Sequence, residues 1–242
     1  MTTGKNILSI KDLTAGYNGK PVLNGLNLSL EEGEICSVIG EEGSGKSTLV
    51  KSLTQQINSS GKIIYKGVSL QTISTARMTK VRIDFIAQGG NILKGFTVGE
   101  HISLALSGKS QEQKNILWKE IEAVFPKMFQ LKKQIAGTLS GGERMILSMA
   151  CVLATDANLL VLDEPTAGLA PEICNVIRNF LLRMKNEKNK TILLMEHNYD
   201  FTVEISDSVV ILKEGKLTEK YFPNDFRKND FIETKLYSII NS

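Results

Sequence analysis

Residues 34–49 read Glu34-Ile35-Cys36-Ser37-Val38-Ile39-Gly40-Glu41-Glu42-Gly43-Ser44-Gly45-Lys46-Ser47-Thr48-Leu49. A short apolar run meets a glycine-rich turn and then a lysine, which is the pattern of a strand, a phosphate-binding loop and a helix. Gly40, Gly45, Lys46 and Ser47 match G-x-x-x-x-G-K-[ST], and Gly43 adds a third glycine. A triphosphate wrapped by backbone N–H groups needs those residues, because side chains at the glycine positions would hold it away. Lys46 then reaches the β- and γ-phosphates and Ser47 offers a hydroxyl to Mg²⁺, while the following helix aims its first N–H groups at the anion. The neighbours agree. Ile35, Val38 and Ile39 supply the strand, and Leu49, Val50 and Leu53 give the helix an apolar face. Glu41 and Glu42 place two carboxylates in a loop that should welcome phosphate, so both side chains are expected to point to solvent.

Outward from this loop the chain is an ordinary globular composition of 242 residues, 42% hydrophobic and 23% charged, large enough for a sizeable core. The net charge of +3 is small and the basic residues are dispersed, which argues against nucleic acid as a partner. The Lys185–Lys190 stretch reads as a solvated helix end. Cys36, Cys151 and Cys174 are far apart and set in apolar patterns, as reduced packing residues of a cytosolic protein would be. With no Cys-x-x-Cys pair and only His101 and His197 available, a metal site of cysteine or histidine type is not expected. No stretch approaches the ~18 apolar residues of a membrane span, so membrane work would be done through a partner.

Before the loop, residues 7–30 alternate as a hairpin with Asn18-Gly19 as its turn. Tyr17 lies at that turn, where half-buried packing is the expectation from sequence alone and stacking on an adenine is the alternative. After the first helix, 62–65 and 83–86 read as strands, the second followed by Gln88-Gly89-Gly90. Residues 98–106 and 111–125 read as helices, with Ile116, Leu117, Ile121, Val124 and Phe125 on one face and Pro126 ending the second. At Ser140-Gly141-Gly142-Glu143 a capping box opens another helix. Two glycines in its first turn cost stability, and a close approach to that N-terminus would explain them. Leu159 to Leu162 is a continuous apolar run ending in Asp163-Glu164-Pro165, as in a buried parallel strand with its site at the carboxyl end. Pro171 opens a helix, 191–195 form a strand ending at Glu196-His197, and two short strands, 209–212 and 216–221, close the pattern. The tail beyond Pro223 carries Ile232, Leu236, Ile239 and Ile240 at helical spacing.

The series Tyr17, Gly40 to Thr48, Gln88, Leu139 to Glu143, Leu159 to Glu164 and His197 resembles, across nearly the whole chain, the ATP-binding subunit of an ABC transporter. The stretches Asp163-Glu-Pro-Thr-Ala-Gly-Leu-Ala-Pro171 and Gln88 to Val98 make it most similar to the ATPases of branched-chain amino acid and urea-type importers. The resemblance implies an α/β fold of the P-loop NTPase, ABC type. That fold has a mainly parallel core sheet, an antiparallel β subdomain and a helical lobe at about 90–138, in one domain over 1–242 with a tail from about 223. It implies ATP and Mg²⁺ as cofactors. Tyr17 would stack on adenine, and Gly40, Gly43, Ser44, Gly45, Lys46, Ser47 and Thr48 would hold the phosphates. Ser47, Gln88 and Asp163 would hold the metal, Glu164 would act as general base, and Gln88, His197 and Lys46 would serve the γ-phosphate and its attacking water. Ser140, Gly141 and Gly142 would close on the nucleotide of a second ATPase subunit, identical or a sister chain, and the lobe would engage integral membrane subunits. The expected location is peripheral, on the cytoplasmic face of the cell membrane. The competing reading is a soluble ABC ATPase of an assembly machine such as iron–sulfur cluster biogenesis. Two departures stand out: Ala170-Pro171 where many such ATPases carry an aspartate after Gly-Leu, and Glu41-Glu42 where Pro-Asn is common.

Overall fold

The computed structural model describes residues 5–73 and 81–226. Strands β1 (Asn6–Tyr17) and β2 (Lys20–Glu31) form the foreseen hairpin, with Asn18 at φ 52° and Gly19 at φ 76°. Positive φ at both turn residues matches the twist of the flanking strands, which is why Asn-Gly serves there. With β4 (Ser59–Tyr65) and β5 (Val68–Ser69) the hairpin makes an antiparallel sheet of order β2-β1-β4-β5. Gly61 lies against the bulged Asp12 of β1, where a Cβ would stand 2.4 Å from the Asp12 carbonyl oxygen.

The second sheet is built from β3 (Ile35–Ile39), β6 (Ile83–Ile86), β7 (Leu159–Asp163), β8 (Thr191–Glu196), β9 (Ser208–Lys213) and β10 (Lys216–Leu217), in the order β10-β9-β3-β8-β7-β6. All pairings are parallel except the β9–β10 edge. Every residue of β3, β7 and β8 is buried, since both faces of the sheet are covered and an unbroken apolar run is what such strands need. Helix α1 (Lys46–Leu53) lies between the two sheets, and Leu49, Val50 and Leu53 join a core with Leu8, Leu23, Val38 and Met195. The other face of the parallel sheet is packed by α5 (Gly141–Leu153), α6 (Pro171–Asn186) and the helices before them.

Those preceding helices are α2 (Val98–Ala105), α3 (Gln111–Val124) and α4 (Pro126–Gln130). Capping boxes open α2 at Thr97/Glu100 and α3 at Ser110/Gln113, as one opens α5 at Ser140/Glu143. Pro126 does stop α3, yet it also begins α4 at the first helical position, where its missing N–H costs nothing. Ile116 departs from expectation: it is 59% exposed, and α3 buries Ile121 fully with Leu117, Trp118 and Val124 in part.

A further helix, α7 (Tyr199–Ile205), follows His197 with Asn198 as its cap. The strand expected at 216–221 shrinks to Lys216–Leu217, and Tyr221 returns only as an isolated bridge to Val209. A short turn of helix, α8, spans Pro223–Phe226. The helical pattern at 232–240 lies outside the described residues. The lysines near 185–190 are not a free solvated end: Lys185 pairs with Asp207, Lys188 with Glu120 at 2.7 Å, and Lys190 donates to the Ala157 carbonyl.

Candidate functional site

Parallel register gathers the motif residues on one edge. Ile39 stands beside Glu196 and Asp163 beside Met195, so Gly40, Glu164 and His197 leave their strands together, and Gln88 emerges two residues beyond β6. Tyr17, Val22, Glu42, Gly43, Gly45 to Thr48, Gln88 and Glu164 line a cavity of about 330 Å³ at this edge. The volume suits a small-molecule ligand.

The loop's glycines answer to different constraints. Gly45, at φ 115°, begins α1 and lies against Leu23, while a Cβ at Gly40 would meet the Leu212 carbonyl and Ser44 Oγ at 2.5 Å. Glu41 and Glu42 are both exposed, but Glu42 lines the cavity where both were expected to point to solvent. Lys46 is 3% exposed and fully engaged: its Nζ donates to the carbonyls of Gly40 at 2.6 Å and Glu41 at 2.9 Å, and pairs with Glu164 Oε1 at 3.0 Å.

Glu164 is the hub of the rim. Its Oε2 accepts Gln88 Nε2 at 3.3 Å and faces His197 Nδ1 at 3.6 Å. Its backbone is left-handed, φ 47°, with the N–H held by the Met195 carbonyl at 3.0 Å. That conformation is uncommon for a residue with a side chain, and it turns the carboxylate back over the loop.

Asp163, 7% exposed, has its carboxyl pushed above the usual range by burial, partly offset by a hydrogen bond from Ser47. Its Oδ1 is buried without a hydrogen-bond partner. A hard divalent cation takes oxygen donors. The hydroxyl of Ser47, the carboxylate of Asp163 and the amide oxygen of Gln88 are such a set, and the orphaned Oδ1 is an acceptor that a cation would satisfy.

Tyr17 does not pack half-buried into the core; it stands 40% exposed on the cavity wall with Lys51 Nζ 5.4 Å from its ring centre. Val22 lines this wall and Lys51 stands over the Tyr17 ring, and neither carried a motif by which sequence could single it out. Ser140, Gly141 and Gly142 are not brought into the cavity. They form the open N-terminus of α5, where Ser140 Oγ accepts the Glu143 N–H and a Cβ on Gly141 would find its nearest neighbours 3.9 Å away.

The loop after β6 is tied to this same helix. Asn91 N–H donates to Ser148 Oγ at 2.8 Å, Asn91 Oδ1 accepts the Ala87 N–H at 3.0 Å, and a Cβ on Gly90 would lie 2.9 Å from the Arg144 carbonyl oxygen. His101, by contrast, is structural: buried, with Nε2 accepting the Leu93 N–H at 2.8 Å and Nδ1 at 2.9 Å from the Thr97 carbonyl.

Comparison with known proteins agrees with this geometry. Over 231 residues the chain is 33% identical to the probable branched-chain amino acid transport ATP-binding protein LivF of Archaeoglobus fulgidus, covering 95% of this chain and 98% of that protein. It is 28% identical over 212 residues to the high-affinity branched-chain amino acid transport ATP-binding protein BraG of Pseudomonas aeruginosa, covering 87% and 91%. The solved structure of an ATP-binding subunit of an ABC transporter superposes with a TM-score of 0.84 at 24% identity, covering 98% of this chain and 100% of that one, which speaks for the fold. The ABC transporter family model matches residues 23–167, from the hairpin through the phosphate loop to the turn beyond Glu164, and with it this chain belongs to the ABC transporter family, as one of its ATPase cassettes.

Proposed function

We propose that this cassette hydrolyses ATP to energise a membrane importer of amino acids or similar small solutes. The observation that carries the hydrolytic part is the convergence of Lys46, Gln88 and His197 on the Glu164 carboxylate at the edge of the cavity. In this reading Tyr17 stacks on the adenine, and Gly40, Gly43, Ser44, Gly45, Lys46, Ser47 and Thr48 hold the phosphates. Glu164 accepts the proton of the attacking water, which Gln88 orients, and His197 and Lys46 meet the charge that builds on the γ-phosphoryl oxygens. Mg²⁺, held by Ser47, Asp163 and Gln88, would neutralise phosphate charge. Ser140, Gly141 and Gly142 serve the nucleotide of a second ATPase subunit, which accounts for an N-terminus left bare and outside this chain's own cavity.

The transport part rests on the relatives, whose names assign them to branched-chain amino acid transport, and on the surface of the lobe. Of nine exposed large apolar side chains among the described residues, six fall within residues 93–135: Leu93, Phe96, Leu104, Ile116, Phe129 and Ile135. We read this concentration as the face that engages a partner. Among the described residues no helix is long and apolar enough to cross a membrane, so membrane subunits would be separate chains, with this one on their cytoplasmic face. We read residues 1–242 as one cassette domain, its lobe at about 90–138.

The test is a pull-down of tagged Glu164→Gln protein with Mg-ATP from detergent-solubilised membranes. Recovery of multi-spanning subunits, alone or with a sister ATPase, supports transport and narrows the cargo. Recovery of soluble assembly proteins alone overturns it while leaving the ATPase reading intact.

A further inference from the structure

Glu196 ends β8, one residue before His197, and is 0% exposed. A carboxylate buried to that degree must have its lone pairs filled. Oε1 accepts the Thr166 N–H at 3.0 Å and the Thr166 hydroxyl at 2.6 Å, while Oε2 accepts the N–H groups of His197 and Asn198, each at 3.1 Å. Among the described residues no lysine or arginine pairs with it within 4 Å, and the His197 ring lies beside it with Nδ1 at 3.9 Å. The two arms lead to different loops. Thr166 is two residues beyond Glu164, and His197 begins the turn into α7.

We propose that Glu196 is a positioning residue for ATP hydrolysis. Its carboxylate staples the turn that follows Glu164 to the turn that carries His197, and so fixes the span between the two side chains. The proposal rests on the roles given above to Glu164 and His197. Glu196 is wholly buried and both its oxygens are taken by donors of this chain, so it acts through those two residues and not on the nucleotide. The chemistry calls for a carboxylate because four donors converge on two oxygens and no donor of its own is wanted. A glutamine would turn its NH₂ group toward one donor pair and release that arm. An aspartate, shorter by about 1.5 Å, would reach one arm only.

The experiment compares steady-state ATP hydrolysis, binding of a fluorescent ATP analogue and thermal midpoint for the purified full chain and its Glu196→Gln, Thr166→Val, His197→Ala, Glu164→Gln and Glu196→Gln/His197→Ala variants. Misplacement of a reacting group by about 1 Å costs on the order of 100-fold in rate. Glu196→Gln is therefore expected to lower kcat about 10- to 100-fold, with KM and analogue affinity within about twofold. Thr166→Val should give a smaller loss of the same kind. In the His197→Ala background, where the residue 197 N–H remains but the imidazole whose placement it fixes is gone, the Glu196→Gln effect should largely vanish.

Wild-type turnover in a stably folded Glu196→Gln protein overturns the proposal, as do a proportional fall in kcat and ATP affinity or effects that multiply in the double variant. Should Glu196→Gln not fold, Thr166→Val carries the same test: a kcat loss without loss of affinity supports the staple, and wild-type turnover overturns it. Glu164→Gln separates the two levels. If it hydrolyses at the wild-type rate, the underlying role of Glu164 falls. If it is inactive while Glu196→Gln is fully active, only the staple falls.

Discussion

Lys46 Nζ stands 3.0 Å from Glu164 Oε1, so the buried cation of the phosphate loop and the carboxylate on its rim are direct partners. A γ-phosphate and Glu164 compete for that ammonium. Glu164→Gln removes the competitor's charge as well as the base. Hydrolysis should fall by about 100-fold or more, while ATP affinity stays level or rises. Phosphate-release kinetics and titration with a fluorescent ATP analogue check the pair, and a fall in affinity alongside the rate would count against the arrangement.

Tyr17 offers an exposed ring at the cavity wall, with Lys51 above it. Stacking of a base on an aromatic ring contributes about 1–3 kcal/mol. Tyr17→Ala should weaken ATP binding by about 5- to 100-fold and Tyr17→Trp should retain it, with kcat nearly unchanged in both. Equal affinities for all three proteins would place the adenine elsewhere.

Gly141 and Gly142 separate stability from function. A Cβ on Gly141 meets Arg144 and Leu169 at an unstrained 3.9 Å, whereas one on Gly142 comes within 3.2 Å of Ile173. Alanine is the better helix residue by about 1 kcal/mol, so Gly141→Ala should leave the thermal midpoint level or raise it. In a Glu164→Gln background the same change should weaken ATP-dependent dimerisation about tenfold, the equivalent of roughly 1.4 kcal/mol lost at the closed interface. Sedimentation with Mg-ATP distinguishes this from a dimer that ignores residue 141.

Glu143 gives the fold a pH dependence. Its carboxyl is held below the ordinary value of 4.5, first by the hydrogen bond with Lys127 and then by the Ser140 N–H of the capping box. Because the folded-state pKa is depressed, the stabilisation is fully present above the unfolded pKa and is lost as pH falls through the folded value. The wild-type advantage over Glu143→Gln in urea denaturation should thus be largest near pH 7, modest at roughly 0.5–1 kcal/mol for so exposed a pair, and should disappear toward pH 3. A difference that persists undiminished in acid would refute the assignment.

Where the chain signals its fold locally, sequence reading succeeds. The phosphate loop, the Asn18-Gly19 turn, the capping box at Ser140 and the apolar run of β7 each follow from backbone geometry or burial acting over a few residues, and each stands where expected. What sequence did not reveal depends on partners distant in the chain. Lys185, Lys188 and Lys190 look solvated until Asp207, Glu120 and the Ala157 carbonyl are brought to them by tertiary packing. Ile116 fits a helical stripe, but the lobe turns that stripe so that Ile121 faces the core and Ile116 does not. Within the site, motif order predicted which residues would share an edge. It carried no sign of the left-handed Glu164, whose conformation is set by the Met195 carbonyl, nor of Glu196 reaching Thr166 across 30 positions.

Gly89 and Gly90 are consecutive left-handed residues, yet only the first has room around it; the second is wedged against Arg144 and Ser148. A linkage loose at one pin and tight at the next has little backlash. The loop that starts at Gln88 is thus bound, through Asn91 and Ser148, to the helix that begins with the two glycines. The rim residue Gln88 and the open helix end at Gly141 are in this way joined by one short loop, through a serine hydroxyl and the close approach of Gly90 to Arg144.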